Sequence, residues 1–172
     1  GRLNYTLMNR YFLTLSIRRD GYSAFGMENP YATFPSGALA WNLSDESFFN
    51  IKWINNLKVR ASYGINGNRD IGIYDALAKL ETNKYLTGST LISGIYSSSL
   101  ANQYLKWEKT KALNLGLDFS ILNSRLNGSV DYYSMITNDL LLKRSLPTII
   151  GYDNVMSNMG ELQNKGFEMT LN

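Results

Sequence analysis

Residues 113–133, LNLGLDFSILNSRLNGSVDYY, alternate apolar and polar side chains on either side of a short polar break. The larger apolar side chains occupy every second position of each segment. They are Leu113, Leu115, Leu117 and Phe119 before the break, and Leu126, Val130 and Tyr132 after it. Successive side chains of a strand point to opposite faces, so this stretch predicts two antiparallel strands joined by a two-residue turn at Asn123-Ser124. The predicted hairpin has one apolar face and one face that carries Asp118 and Asp131.

The same alternation recurs along the chain. It is found at residues 10–20, 37–43, 57–64 and 165–172. Together with the opening hairpin these segments predict about six full strands and a partial strand at residues 3–5. The sequence therefore predicts an all-β protein built from antiparallel strands.

The composition of the 172 residues excludes several kinds of chemistry. The chain has no cysteine and no histidine, so cysteine-ligated zinc, thiol nucleophiles, disulfides and histidine-based triads are excluded. Charged residues make up 18% of the chain, below the usual share of about 25%. The net charge is +3 without a long run of Lys or Arg, which argues against a nucleic-acid partner.

The predicted connections alternate in length. In order they occupy residues 6–10, 21–30, 44–55, 66–105, 123–124 and 146–159. Short turns at one end of a sheet and long loops at the other are typical of outer-membrane barrels, and the strands predicted at 109–121 and 125–142 are long enough to cross a bilayer. A soluble antiparallel sandwich also alternates and stays open as an alternative at this point.

The two-residue turn fixes a register for the opening hairpin. On the apolar side it pairs Ile121 with Leu126, Phe119 with Gly128, Leu117 with Val130 and Leu115 with Tyr132. On the polar side it places Asp118 opposite Ser129 and Gly116 opposite Asp131. Lys58 and Arg60 share the polar parity, and we expect them to pair with these acids or with another part of the protein on that face. A slip by one residue would reverse the faces of a strand.

No residue is assigned to a catalytic, cofactor-binding or metal site. Asp118 and Asp131 resemble a carboxylate pair for acid–base work, but the preferred interpretation is electrostatics of a sheet surface. Residues 64–72, GINGNRDIG, lack the closing Lys-Ser/Thr of a phosphate-binding loop, so we expect a turn. Residues 44–49, SDESFF, predict a short helical turn, in which Asp45 and Glu46 either form a solvated cap or bind a cation.

An ordered set of short motifs resembles one family. The motifs are RRDG (18–21) with a following FG (25–26), TFPS (33–36), RASYGINGN (60–68), LKWEKT (105–110), SVDYY (129–133) and NKGFE (164–168). In this order and spacing they resemble the C-terminal barrel of SusC/RagA-type TonB-linked outer-membrane transporters. Residues 73–104 do not take part in the resemblance.

The resemblance implies a fold and a location. Residues 1–172 would form part of a transmembrane barrel of about 22 antiparallel strands, as a fragment without the plug and the remaining strands. The apolar parity would face lipid and the polar parity the barrel interior, in the outer membrane of a Gram-negative, Bacteroidota-type bacterium.

The resemblance also implies a function that is not enzymatic and needs no cofactor. The complete protein would import oligosaccharides or peptides, with energy from TonB through the absent N-terminal region and with a SusD-type surface lipoprotein as partner. The loops at 21–30, 66–105 and 146–159 would contact solute or partner. The tyrosines of the loop at 66–105, which either stack on solute or pack on protein, are Tyr74, Tyr85, Tyr96 and Tyr104. The alternatives are a passive outer-membrane barrel and a soluble β-sandwich adhesin or carbohydrate-binding module.

Overall fold

The computed structural model describes residues 1–25 and 28–172, apart from the side chain of Thr148. Gly26 of the FG dipeptide lies outside the described residues. The strands are β1 (Arg2–Leu7), β2 (Tyr11–Gly21), β3 (Tyr31–Asn42), β4 (Ile54–Asn68), β5 (Lys79–Thr87), β6 (Thr90–Leu100), β7 (Glu108–Ile121), β8 (Leu126–Asn138), β9 (Leu141–Ser145), β10 (Asn154–Asn158) and β11 (Glu161–Leu171). Two 3-10 turns occupy Leu43–Asp45 and Thr148–Ile150. Over the described ranges, no helix is long and apolar enough to cross a membrane.

Seven strands form one antiparallel sheet in the order β1-β2-β3-β4-β7-β8-β11. These are the six full strands and the partial strand that the alternation predicts, so the all-β, antiparallel prediction is confirmed. Neighbours in the sheet are mostly neighbours in sequence. The exceptions are β4 with β7 and β8 with β11, where a long connection is itself folded into strands.

The predicted register of the opening hairpin is confirmed. Ile121 pairs with Leu126, Phe119 with Gly128 and Gly116 with Asp131. The turn is closed by the backbone N–H of Arg125, which donates to the carbonyl of Leu122 at 3.3 Å. Leu122, Asn123 and Ser124 all have positive φ, between 55° and 63°. The pairing of the two strands therefore ends with Ile121 and Leu126, one residue before the Asn123-Ser124 turn on each side.

One face of the seven-stranded sheet is an uncovered apolar surface. Two complete cross-strand rows lie on it: Leu7, Tyr11, Trp41, Val59, Leu117, Val130 and Met169; and Tyr5, Leu13, Leu39, Ala61, Leu115, Tyr132 and Phe167. Leu115 is 44% exposed and Phe167 is 78% exposed. A soluble sandwich would bury such rows against a second sheet, whereas a barrel wall presents them to lipid.

The connection at residues 66–105 differs from the expected loop. It contains the β5–β6 hairpin, closed by Gly88 and Ser89 between the paired residues Thr87 and Thr90. Within 64–72 the prediction of a turn is partly wrong, because β4 continues to Asn68 before the chain turns. Gly64 to Asn68 stay paired with β7, which supplies their backbone hydrogen bonds.

The strand predicted over 125–142 is also interrupted. β8 ends at Asn138, Asp139 has a φ of 59°, and β9 begins at Leu141. A left-handed residue cannot continue a ladder, so the chain leaves the large sheet there. It enters a four-stranded sheet of order β5-β6-β10-β9, in which β10 runs parallel to β6 and the other pairs are antiparallel.

The largest group of buried apolar residues in the described chain lies at the long-loop end. It consists of Phe25, Ala32, Phe34, Ala76, Leu105 and Trp107. The pairing of β3 with β4 stops at Ser36 and Gly64, although both strands continue. Aromatic rings fill this region: Phe34 and Phe25 lie 5.5 and 5.1 Å from the ring of Trp107. The cluster thus anchors the loops on the end of the sheet.

Candidate functional site

The polar face of the sheet centres on Arg60 of β4. Its Nε donates to Oδ2 of Asp118 at 2.7 Å, and its Nη2 donates to Oδ1 of Asp118 at 2.8 Å. The same Nη2 donates to Oδ1 of Asp131 at 3.0 Å. One guanidinium therefore links β4, β7 and β8, and the expected pairing of Arg60 with these acids is confirmed. Lys58 instead places its Nζ 5.2 Å from the ring centre of Phe12.

Gly116 makes room for this ion pair. It lies between Arg60 and Asp131 in the ladder. A Cβ at this position would lie 2.5 Å from Asp131 Oδ1 and 2.7 Å from Arg60 Nη2. Any larger residue would push the guanidinium from the second carboxylate. On the opposite face Gly128 has a similar relationship to Phe119, whose Cζ would lie 2.6 Å from an added Cβ, as expected from the pairing.

The two aspartates are arranged for structure. Both carboxylates accept hydrogen bonds from a guanidinium, which stays charged at any ordinary pH. Both carboxylates are thus engaged by the same guanidinium, whereas acid–base work needs a carboxyl that can reach a reacting group. The arrangement thus supports the sheet-surface interpretation of Asp118 and Asp131.

The short-turn end carries an aromatic and carboxylate anchor. Glu46 accepts hydrogen bonds from the Tyr11 hydroxyl at 2.6 Å, from Trp41 Nε1 at 3.0 Å and from Arg10 at 3.3 Å. The hydrogen bond from Tyr11, reinforced by those from Trp41 and Arg10 and by the Arg10 charge, lowers the pKa of Glu46. Tyrosine and tryptophan with a satisfied polar tip are typical of a membrane interface.

The short helical turn predicted for residues 44–49 is present, but its contacts differ from a capping box. The 3-10 turn spans Leu43–Asp45, and Asn42 precedes it without a side-chain cap. Asn42 Nδ2 donates to Asp45 at 3.1 Å, and Ser44 Oγ donates to Asn56 at 3.4 Å. Asp45 and Glu46 each have protein partners, and the described residues contain no group of three or more acidic side chains that could hold a metal ion.

At the long-loop end, the four-stranded sheet is tied to the large sheet by polar contacts. Asn158 Nδ2 donates to the carbonyls of Lys106 and Asp139, at 2.7 and 2.9 Å. Asp75 accepts from Lys79 at 2.5 Å and from the N–H of Gly72 at 2.7 Å. The hydrogen bond from Lys79, helped by that from Gly72, lowers the pKa of Asp75. These contacts give the loops a defined shape.

The four loop tyrosines lie at the surface of this region. Tyr74 and Tyr104 are 66% and 76% exposed, and Tyr85 is 55% exposed. Tyr96 is the least exposed at 37%, and its hydroxyl lies 3.5 Å from Glu81. None of the aromatic ring pairs found in the described residues joins two of them. Their exposure leaves them available to an external molecule.

Sequence reasoning missed two features of the loop end. The first is the β5–β6 hairpin, although the Gly-Ser turn between threonines is a recognised hairpin signal. The second is the buried aromatic cluster around Trp107. Its members come from separate connections, and spacing alone does not bring Phe25 and Leu105 together.

The sheet has an uncovered apolar face and a charged face, with short turns at one end and structured loops at the other. This combination defines the wall of a membrane-spanning β-barrel. The chain belongs to the TonB-dependent receptor family, since the family model described as "TonB dependent receptor-like, beta-barrel" matches residues 1–172.

Similar proteins support the SusC/RagA-type resemblance. The chain is 44% identical to TonB-dependent receptor P3 of Formosa agariphila, over 100% of this chain and 17% of that protein. It is 40% identical to TonB-dependent receptor SusC of Bacteroides thetaiotaomicron, over 100% of this chain and 18% of that protein. A solved structure of the RagAB peptide transporter matches with a TM-score of 0.87 and 32% identity, over 99% of this chain and 19% of that chain. The chain thus spans less than a fifth of these relatives, whose names describe receptors and a transporter.

Proposed function

We propose that residues 1–172 are a section of the wall and outer loops of a TonB-dependent outer-membrane importer. The observation that carries the proposal is the separation of the two faces: the apolar rows are uncovered, and Arg60 pairs with Asp118 and Asp131 on the other side. In a bilayer the apolar rows meet acyl chains, and the Arg60 ion pair lines the interior against a plug.

The whole protein, in this proposal, is a barrel of about 22 strands with an N-terminal plug that contacts TonB. It takes up oligosaccharides or peptides across the outer membrane of a Bacteroidota-type bacterium. Support comes from the likeness to SusC and to the RagAB peptide transporter over the whole of this chain.

The structured loop end is the proposed contact region for solute and for a SusD-like surface lipoprotein. The β5–β6 hairpin and β10 give the loops a folded platform rather than a set of free strands. Exposed tyrosines on that platform, such as Tyr85, offer flat apolar faces with a polar tip, which suit sugar rings or peptide side chains.

The test uses the full-length receptor in its host, with growth on a panel of oligosaccharides and peptides as the readout. We expect deletion of the receptor gene to abolish growth on one class of solute, and deletion of the TonB gene to have the same effect. Growth that needs the receptor but not TonB would favour a passive barrel. A receptor found in the soluble fraction without detergent would favour the β-sandwich alternative.

Loop function is tested separately with a shortened hairpin, in which residues 82–95 are replaced by a two-residue turn. We expect the shortened receptor to assemble, because the seven-stranded sheet pairs without β5 and β6. Assembly is measured by the heat-dependent shift in gel mobility. Uptake, or co-purification of the lipoprotein, is expected to fall while the amount of assembled receptor stays the same.

A further inference from the structure

A cationic cleft lies at the long-loop end of the large sheet. It has a volume of about 480 Å³ and is lined by Arg18, Arg19, Asp20, Arg69 and Trp107, with Gly21 and Gly67. Within β2, the side chains of Arg18 and Asp20 lie on the same side as those of Thr14 and Ser16. This side is the polar face of the sheet. The cleft therefore opens where the polar face meets the loops.

The charges of the cleft are unbalanced. Arg19 follows Arg18 in the regular ladder of β2, so its side chain points to the opposite face, beside Tyr31. Arg18 and Arg69 face the one carboxylate of Asp20, which leaves a surplus of one positive charge on the polar side. Asp20 accepts from Arg18 Nε at 2.9 Å. Arg69 has no carboxylate partner among the ion pairs of the described chain. A cleft with this surplus attracts anions.

Aromatic rings hold the two guanidinium groups of the cleft in place. The guanidinium carbon of Arg69 lies 4.7 Å from the ring centre of Tyr22. Arg18 lies 5.5 Å from the ring centre of Phe34. A guanidinium stacked on a ring keeps its N–H edge free, so less conformational entropy is lost when it binds an anion.

Trp107 supplies an independent sign of a missing acceptor. Its side chain is 3% exposed, and its indole N–H meets no hydrogen-bond partner among the described residues. A buried N–H without a partner costs free energy, and indole nitrogen can only donate. Trp107 lines the cleft beside the arginines, so a bound anion would offer the acceptor that the protein lacks.

We propose that this cleft binds an acidic group of the transported solute, a carboxylate or a sulfate ester, and that the importer prefers anionic solutes. The inference rests on the proposed function and adds the chemical class of the solute. Arg69 binds the anion in a charge-assisted manner, and the Trp107 indole donates a further hydrogen bond. Acidic peptides and acidic glycans carry the same group, so the test includes both.

The test measures binding of four probes to the full-length receptor in detergent by calorimetry. Hexaglutamate is compared with hexaglutamine, and an oligogalacturonate with a malto-oligosaccharide of the same length. We expect at least one acidic probe to bind about tenfold more tightly than its neutral counterpart, since charge-assisted hydrogen bonds are the stronger ones. We expect the preference to weaken with added salt. The probe that shows it identifies the source of the acidic group.

Variants then assign the preference to the cleft. R69Q is expected to reduce acidic-probe binding about tenfold, which corresponds to about 1.4 kcal/mol, and to leave neutral-probe binding unchanged. W107F keeps an aromatic ring in the cluster and removes only the N–H, so it is expected to reduce the acidic preference by a smaller factor. R125Q, in the turn at the opposite end of the sheet, is the matched control and is expected to have no effect.

Equal binding of acidic and neutral probes would overturn the inference, as would an acidic preference that survives R69Q. TonB-dependent uptake of a neutral solute alongside either result would leave the proposed function standing. Absence of TonB-dependent uptake for every solute would instead overturn the proposed function.

Discussion

Arg60 and Asp118 form a two-point ion pair across a diagonal of the sheet. Nε–Oδ2 is 2.7 Å and Nη2–Oδ1 is 2.8 Å, yet the residue directly opposite Asp118 in the ladder is Lys58. The planar guanidinium matches both carboxylate oxygens, which a lysine ammonium cannot do. Because the Arg60 side chain lies diagonally, it also passes over Gly116 and reaches Asp131. One guanidinium thus links β4, β7 and β8.

Replacing this cation should destabilise the barrel. R60Q leaves Asp118 and Asp131 close together without their common partner, and we expect a loss of about 1–2 kcal/mol in the free energy of unfolding. The loss lies at the low end for charged hydrogen bonds, because the Arg60 side chain is 37% exposed. Urea titration of the full-length receptor in lipid, followed by gel mobility, measures it.

K58Q is the matched control for R60Q, because Lys58 is the nearest basic residue of the same face. We expect K58Q to cost less than R60Q, since Lys58 contacts the Phe12 ring and no carboxylate. An equal cost for the two variants would contradict the central role of Arg60.

Gly116 gives a second prediction that depends on the same ion pair. G116A places a methyl group 2.7 Å from Arg60 Nη2, so we expect it to cost about 1 kcal/mol through loss of the contact with Asp131. Both atoms that it meets are ends of flexible side chains, so the backbone should keep its register. In an R60Q background the added cost of G116A should nearly vanish. A double-mutant cycle measures this coupling, and additive costs would contradict it.

The lowered pKa of Glu46 predicts that the stability of the receptor depends on pH. Its pKa is lowered in the folded state by the hydrogen bond from Tyr11 and then by Trp41 and Arg10. A carboxyl with a lowered folded pKa stabilises the fold above its unfolded pKa of about 4.3, and this contribution is lost as the pH falls through the folded pKa. The difference in stability between the native receptor and E46Q should therefore be largest near neutral pH and shrink below pH about 4.3.

Chemical unfolding at a series of pH values measures this difference. D45N is the control, because Asp45 lies beside Glu46 and contacts only Asn42 among the side-chain hydrogen bonds of the described residues. A difference for E46Q that stays constant from neutral to acidic pH would show that the anchor does not depend on the charge of Glu46.

The sequence predicted the large sheet well, because its strands follow a strict period of two. Leu115, Leu117 and Phe119 have the same parity and the same face in the structure, and one turn at Asn123-Ser124 was enough to fix every pair of the hairpin. The ion pair of Arg60 was expected from shared parity. The sequence did not predict that Arg60 alone, without Lys58, would contact both acids, because the diagonal contact depends on the room that Gly116 leaves for these side chains.

The loop end was predicted less well, for physical reasons. Leu80, Ile95 and Tyr96 lie in a hairpin without a consistent apolar face, so periodicity gave no signal for it. The break at Asp139 depends on one positive φ that an aspartate tolerates but does not require. The cationic cleft joins residues from β2 with Arg69 and Trp107, and only tertiary structure brings these together.

The assignment of faces also predicts the cost of a charge. L115R puts a guanidinium on the apolar face and should destabilise the receptor in a bilayer by about 2–4 kcal/mol, as for a charge near the midplane. N114R, one residue earlier and on the polar face, is the matched control and should cost far less. Folding titrations into lipid vesicles measure both variants.

The central claim, that the apolar parity faces lipid, is tested most directly by scanning β7 with spin labels. The chain has no cysteine, so single cysteines at positions 113–118 can be labelled without interference from this region. In the full-length receptor in lipid, labels at 113, 115 and 117 should collide with dissolved oxygen, and labels at 114, 116 and 118 with a water-soluble nickel complex. Absence of this alternation, or its reversal, would contradict the account.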